Sequence, residues 1–256
     1  MLEEILAHKR EETQLRQAER SLSTLQEMAA AQPHARSLRA ALSPGRVRVI
    51  AEVKRRSPSA GELAAEVDPA VRAALYADFG AAAISVLTDA RYFGGSLNDL
   101  VAVRSEVGLP VLRKDFILNE YQVLESRAWG ADAVLLIVST LDQDDLADLL
   151  EYARVLGMDA LVEVHDATEL EAALEVGAPI IGVNNRNLRT LKVDLQTTVD
   201  LAPLVPSGHF LVSESGVSGW ADVEMLGAVG VGAVLVGEAL MRAADPAAKL
   251  RELVGE

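Results

Sequence analysis

Apolar residues along this chain collect into eight short runs at regular intervals: VRVIAEV (47–53), AAISVLT (82–88), PVLRK (110–114), AVLLIVS (133–139), ALVEV (160–164), IIGVN (180–184), HFLVSE (209–214) and AVLVG (233–237). They are rich in β-branched or aliphatic residues and nearly continuous rather than alternating, the pattern of strands buried on both faces. The segments between them have helical periodicity. From the start of one run to the start of the next the spacing is 20 to 35 residues, which suits one strand, one helix and two loops.

The punctuation agrees. In FGAAAISVL (79–87), WGADAVLLI (129–137), VGAPIIGV (176–183) and VGAVLVG (231–237) a glycine stands where a helix ends and the chain turns into a strand, as a left-handed C′ residue should. Asp68-Pro69 offers a cap and an N1 proline ahead of VRAALYADF. Thr140 with Gln143, and Asp166 with Glu169, have capping-box spacing. Eight βα units predict a parallel sheet covered by helices and closed into a (β/α)8 TIM barrel. An open doubly wound sheet is the competing arrangement. It calls for a G-x-G-x-x-G turn after an early strand, and none follows the first run. Residues 1–46 lie outside the repeat, and LEEILAHKREETQLRQ reads as a helix with Leu2, Ile5, Leu6 and Leu15 on or near one face. The expected organisation is a helical extension (1–46) packed on a barrel (47–256), one domain overall.

Composition narrows the function. At 256 residues, half of them hydrophobic, a single large barrel is affordable. The net charge is −14, and residues 1–46 hold 7 basic and 6 acidic side chains, so the acid excess lies in the predicted barrel. Nucleic acid and anionic lipid are therefore not expected partners. There is no cysteine, which excludes a disulfide scaffold, a thiolate zinc site and a cysteine nucleophile and fits a reducing compartment such as the cytoplasm. The polar N-terminus reads as neither a signal peptide nor a membrane span. His8, His34 and His209 have no metal-ligand spacing, so no metal is assigned.

Charges at the ends of buried strands carry the chemical signal. Of the 24 basic residues only 5 are lysines, yet Lys54 directly follows the first run, Lys114 closes the third, and Glu163 sits inside the fifth. A charge in such a place is costly unless paired or used. Residues two apart share a face of a strand, so Glu52 goes with Lys54, Leu112 with Lys114, Leu161 with Glu163, Asn184 with Arg186, and Val212 with Glu214. Glu52, Lys54, Lys114, Glu163, Asn184, Arg186 and Glu214 are thus expected to line the C-terminal mouth, where barrels of this kind keep their active sites. SESG (213–216) and VGEAL (236–240) follow the last two strands, the loops that commonly bind phosphate through glycine-exposed amides. Glu238 is unusual there; its amide is expected to serve and its side chain to turn away. His165 shares parity with Glu163 and is expected in a supporting role.

These segments resemble the indole-3-glycerol-phosphate synthase family of tryptophan biosynthesis. The resemblance rests on AEVKRRSPSAG (51–61), LRKDFI (112–117), GADAVLLI (130–137), LVEVHD (161–166), GVNNRNLRTL (182–191), VSESG (212–216) and VGEALM (236–241), in order and spacing over essentially the whole chain. Ala60 departs from the pattern, where a long side chain is expected.

The resemblance implies a carboxy-lyase that needs no cofactor and converts 1-(2-carboxyphenylamino)-1-deoxyribulose 5-phosphate to indole-3-glycerol phosphate, CO2 and water. It implies Lys114 as general acid and Glu163 as base and proton shuttle. Lys54 would hold the substrate carboxylate or phosphate, positioned by Glu52, and Asn184, Arg186 and Glu214 would orient hydroxyls and charges. Ser57 and Pro58 would contact substrate, and Phe93, Phe116, Leu135 and Leu188 would wall the aromatic ring. Ser215, Gly216, Gly237 and Glu238 would complete the phosphate site. The partner is a small anionic substrate, and a monomer is expected. A phosphosugar isomerase or epimerase, a Schiff-base aldolase using Lys114, and a non-catalytic phosphosugar-binding barrel remain as rival readings.

Overall fold

The computed structural model describes every residue except Met1, Pro44, Ser59, Ala60, Ala64, Ala65 and Arg189. Ala60, the departure from the family pattern, therefore lies outside the described residues. Among the described residues ten strands form, β1 Arg48–Val53, β2 Arg56–Ser57, β3 Gly61–Glu62, β4 Ala83–Leu87, β5 Val111–Lys114, β6 Ala133–Ile137, β7 Asp159–Val164, β8 Ile180–Asn184, β9 Phe210–Glu214 and β10 Ala233–Val236. Eight of them close a parallel barrel in the order β1-β10-β9-β8-β7-β6-β5-β4. Because β1 pairs with both β10 and β4, the open-sheet alternative is excluded. The short β2 and β3 make an antiparallel ribbon within the loop that follows β1.

The continuous apolar runs follow from burial on both sides. Ile50, Leu112, Leu161, Ile180, Val212 and Leu235 fill the barrel interior. Their strand neighbours, such as Val49, Ala51, Val134, Val162 and Ile181, pack outward beneath the helices. The parity that puts Glu52, Lys114, Glu163 and Glu214 on the inward face is thereby observed directly. Leu38 and Leu42, in and just after a short helix, join the interior cluster.

Helix ends largely follow the sequence signals. Gly80, Gly130 and Gly177 have φ of +100°, +87° and +73°. In the last unit the left-handed residue is Gly230, not Gly232; a Cβ on Gly232 would lie 2.5 Å from the Phe210 ring. Asp68 caps Pro69–Asp78 by accepting from the amides of Ala70 and Val71. Thr140 is not a cap. Its hydroxyl donates to the Ile137 carbonyl, and Asp142 caps the helix Gln143–Val155 instead, a carboxylate being favoured at the positive end of the helix dipole.

The N-terminal extension supplies α1 (Leu2–Glu19), α2 (Leu22–Ala31) and α3 (Leu38–Ala41). In α2, Leu25 packs with Tyr121, Leu124 and Ala128 of the helix Glu120–Ala128. The buried stripe of α1 is Ile5, Lys9 and Thr13, and Leu15, expected on the packed face, is 68% exposed. The cause is Lys9. Its ammonium meets Glu12, Asp89 and Asp115 at 2.6, 2.8 and 2.9 Å, so a charge cluster rather than a leucine row sets how this helix lies.

Candidate active site

A cavity of about 570 Å³ opens among the C-terminal strand ends, lined by both charged strand-end residues and apolar side chains. Every site residue expected from the sequence borders it. Glu52, Lys54, Lys114, Glu163, Asn184 and Glu214 come from the strand ends; Ser57 from β2; Phe93 and Glu238 from the short helices Ala90–Phe93 and Glu238–Arg242; Pro58, Phe116, Arg186, Leu188, Ser215, Gly216 and Gly237 from the loops; Leu135 from within β6. The Phe93 and Phe116 rings lie 6.4 Å apart, tilted by 42°, and form an aromatic corner.

Lys114 is the centre of the charged part. Its Nζ lies 2.7 Å from Glu163 Oε2 and 2.6 Å from Glu214 Oε2. Burial lowers its affinity for the proton, but Glu163, Glu214 and Glu52 overcome this and push its pKa above the ordinary lysine value. Lys114 is therefore a fixed ammonium in the resting site.

The two carboxylates around it differ. Glu163 Oε1 accepts from Asn184 Nδ2 at 3.0 Å and stands 3.2 Å from His165 Nε2. Burial opposes its charge, but Lys114, His165 and Asn184 prevail and hold it well below the usual carboxylate range. Glu214 Oε1 has no hydrogen-bond partner among the described residues. Burial, with the nearby Glu163 and Glu52 charges, outweighs Lys114 and pushes Glu214 up to about 7. His165 is raised to about 10: burial disfavours its charge, but Glu163 and Glu169 more than compensate.

At the end of β1, Lys54 Nζ lies 2.6 Å from Glu52 Oε1, and Glu52 itself presses on Gly237, where a Cβ would come within 2.3 Å of the same oxygen. Gly237 thus makes room for a carboxylate. Gly216 has φ +93°, and a Cβ there would meet Val193 Cγ1 at 2.6 Å. Arg186 donates to the Leu191 carbonyl and lies 3.8 Å from Glu238, whose other oxygen accepts from Arg242 Nε at 3.0 Å. The Glu238 side chain does not turn away as expected. Two arginines hold it at the rim.

Residues 2–253 match the family model described as indole-3-glycerol phosphate synthase. The chain belongs to the indole-3-glycerol phosphate synthase family. The family's enzyme from Parafrankia sp. is 54% identical over 99% of this chain and 94% of its own length. That from Laribacter hongkongensis is 50% identical over 99% and 98%. Among solved structures, 3-hexulose-6-phosphate synthase from Salmonella typhimurium superposes with a TM-score of 0.64 at 16% identity, over 82% of this chain and 97% of that one, a likeness of fold alone.

Sequence reasoning missed part of the wall. Leu2 and Ile5 of α1 border the cavity, as do Asp89, Asp115, Ile137 and Arg242. No periodicity announces that an N-terminal helix reaches the far end of the barrel. Asp89 and Asp115 carried a readable signal, since each is an acid just beyond a strand end.

Proposed function

We propose that the chain closes the indole ring of indole-3-glycerol phosphate, with Lys114 as general acid and Glu163 as base. The observation that supports this most is one ammonium held between two buried carboxylates of unlike proton affinity, because pairs of groups pushed apart in this way divide acid and base duties. The substrate is 1-(2-carboxyphenylamino)-1-deoxyribulose 5-phosphate, its ring against Phe93, Phe116, Leu135 and Leu188 and its phosphate at Ser215, Gly216 and Gly237.

The carboxylate-bearing ring carbon attacks the ribulose carbonyl while Lys114 gives its proton to the developing alkoxide. An alkoxide is more basic than an amine, so a raised lysine pKa keeps the proton in place until that charge builds. The C–C bond to the carboxylate then breaks, its electron pair restores the aromatic ring, and CO2 leaves. Glu163 takes a proton from the neighbouring methylene and passes it to the departing hydroxyl, which leaves as water. One proton is consumed per turnover, and solvent returns it to Lys114. Lys54, braced by Glu52, attracts the anionic substrate; Asn184 fixes Glu163, and Arg186 faces the sugar phosphate.

A Schiff-base aldolase is disfavoured because a nucleophilic lysine needs a depressed pKa, whereas that of Lys114 is raised. The ring-closure reading also expects a monomeric cytoplasmic enzyme that binds neither nucleic acid nor membrane; among the described residues no helix is long and apolar enough to cross a membrane. The test is appearance of indole fluorescence when purified protein meets this substrate in EDTA. Inactivity, or activity only with added metal or nicotinamide, would contradict the reading.

A further inference from the structure

The Lys114 ammonium is nearly equidistant from Glu163 Oε2 and Glu214 Oε2, so by itself it cannot decide which carboxylate stays ionised. The difference lies at the other oxygens. Glu214 Oε1 has no donor among the described residues and lies over Gly182, where a Cβ would approach it to 2.2 Å. Glu163 Oε1 accepts from Asn184, and His165 Nε2 stands 3.2 Å from it as an ion-pair neighbour without hydrogen-bond alignment. Asn184 is neutral, so the charge that singles out Glu163 is His165, while Glu52 adds negative charge on the Glu214 side and tips the pair the same way.

His165 is held for that purpose by Glu169. Its Nδ1 lies 2.9 Å from Glu169 Oε2, which also accepts the His165 backbone amide at 2.8 Å. Glu169 is fixed in turn because Asp166 accepts its amide at the start of the helix Ala167–Glu175. A neutral imidazole has one nitrogen that donates and one that accepts. With a carboxylate facing each nitrogen, only the imidazolium suits both. The charged groups facing Glu163 are thus Lys114, His165 and Glu214, with Glu52 beyond Lys114 and Glu169 beyond His165.

We propose that His165, locked as an imidazolium by Glu169, is a positioning residue that makes Glu163 the ionised base and leaves to Glu214 the proton that the two carboxylates would otherwise share. The inference rests on Glu163 being the base, as proposed above, and adds what selects it. When two carboxyls interact this closely, the proton of the neutral step belongs to the pair, and the imidazolium tips its location. The design makes Glu169, outside the reaction cavity, part of the electrostatics of ring closure.

The test is ¹³C NMR of labelled glutamate carboxyls, with signals assigned from Glu163→Gln and Glu214→Gln. In the unaltered protein the Glu214 signal should move with a midpoint near about 7 while that of Glu163 stays still through neutrality. In His165→Gln the Glu163 signal should move in the neutral range, and the ratio of kcat at pH 6 to kcat at pH 8 should fall at least twofold with KM unchanged. Glu169→Gln, at a less buried position, should shift Glu163 the same way by less. A Glu163 signal that stays still in both variants, or a pH-independent loss of kcat, would overturn the role of His165. Full turnover by Glu163→Gln would instead remove the base assignment, independently of where the NMR finds the proton.

Discussion

Lys9, on the N-terminal helix, places its ammonium 2.9 Å from Asp115, the residue that follows Lys114 in the chain. The contact is one side of a closed ring of alternating charges. Asp115 pairs with Arg113, Arg113 with Glu125, Glu125 with Arg16, Arg16 with Glu12, and Glu12 with Lys9, all between 2.6 and 3.1 Å. Asp115 is held well below the ordinary carboxylate range because Lys9 and Arg113 outweigh its burial.

Removing one member of such a buried set leaves its partners charged and unpaired, which typically costs about 3–5 kcal/mol. Lys9→Met should therefore lower the melting temperature sharply. Lys9→Met combined with Asp115→Asn should recover part of the loss, since residues in contact are not additive. Thermal unfolding of the two variants checks this; a neutral Lys9→Met would mean the ring contributes nothing net.

The barrel and the inward face of its mouth were legible because eight apolar runs recur at βα spacing and side chains alternate along a strand. Ile50, Glu52 and Lys54 can share a face only one way, and β1 obeys. The placement of α1 was not legible. A hydrophobicity count favours Leu15 and discards Lys9, although a lysine surrounded by three carboxylates is the better anchor. The caps show the same limit: Thr140 has the spacing, but Asp142 has the charge. His165 was recognisable as a neighbour of Glu163 by parity, while its second partner, Glu169, comes from the first turn of the following helix Ala167–Glu175.

Glu214 gives a pH prediction. Its pKa is raised to about 7 by burial and by Glu163 and Glu52, and only its neutral form spares an incoming anionic substrate a further negative charge. Accordingly kcat/KM should fall as pH rises through about 7, and Glu214→Gln should flatten that limb. A carboxyl raised on folding stabilises the protein below its unfolded value and loses that contribution as pH rises through its folded one. Hence Glu214→Gln should gain stability relative to the parent above about pH 7. An unchanged basic limb in the variant would assign it to another group.

His165 titrates in the opposite chemical sense but has the same sign of linkage. Its folded value of about 10 lies above its ordinary 6.5, so its contribution to stability is complete below about pH 6.5 and lost as pH rises to 10. The gap in melting temperature between the parent and His165→Gln should narrow across that window. A gap independent of pH would show that packing, not charge, is what the substitution removes.

Inorganic phosphate should raise the melting temperature, since a ligand that binds only the folded chain stabilises it by mass action, about 2.7 kcal/mol at a hundredfold excess over Kd. Gly216→Ala, which strains a φ of +93° and crowds Val193, and Gly237→Ala, which crowds Glu52, should both weaken that protection. A phosphate-dependent shift of undiminished size in both variants would place the anion elsewhere.

The central claim is that Lys114 donates a proton during ring closure rather than only attracting the substrate. Lys114→Arg separates the two, because arginine keeps the charge but does not release a proton. Loss of a positioned acid is worth about 10²- to 10⁴-fold in rate. Single-turnover measurement of indole formation by Lys114→Arg should show substrate binding retained and the chemical step slowed by that factor. A single-turnover rate near that of the unaltered enzyme would contradict the account and reduce Lys114 to an electrostatic anchor.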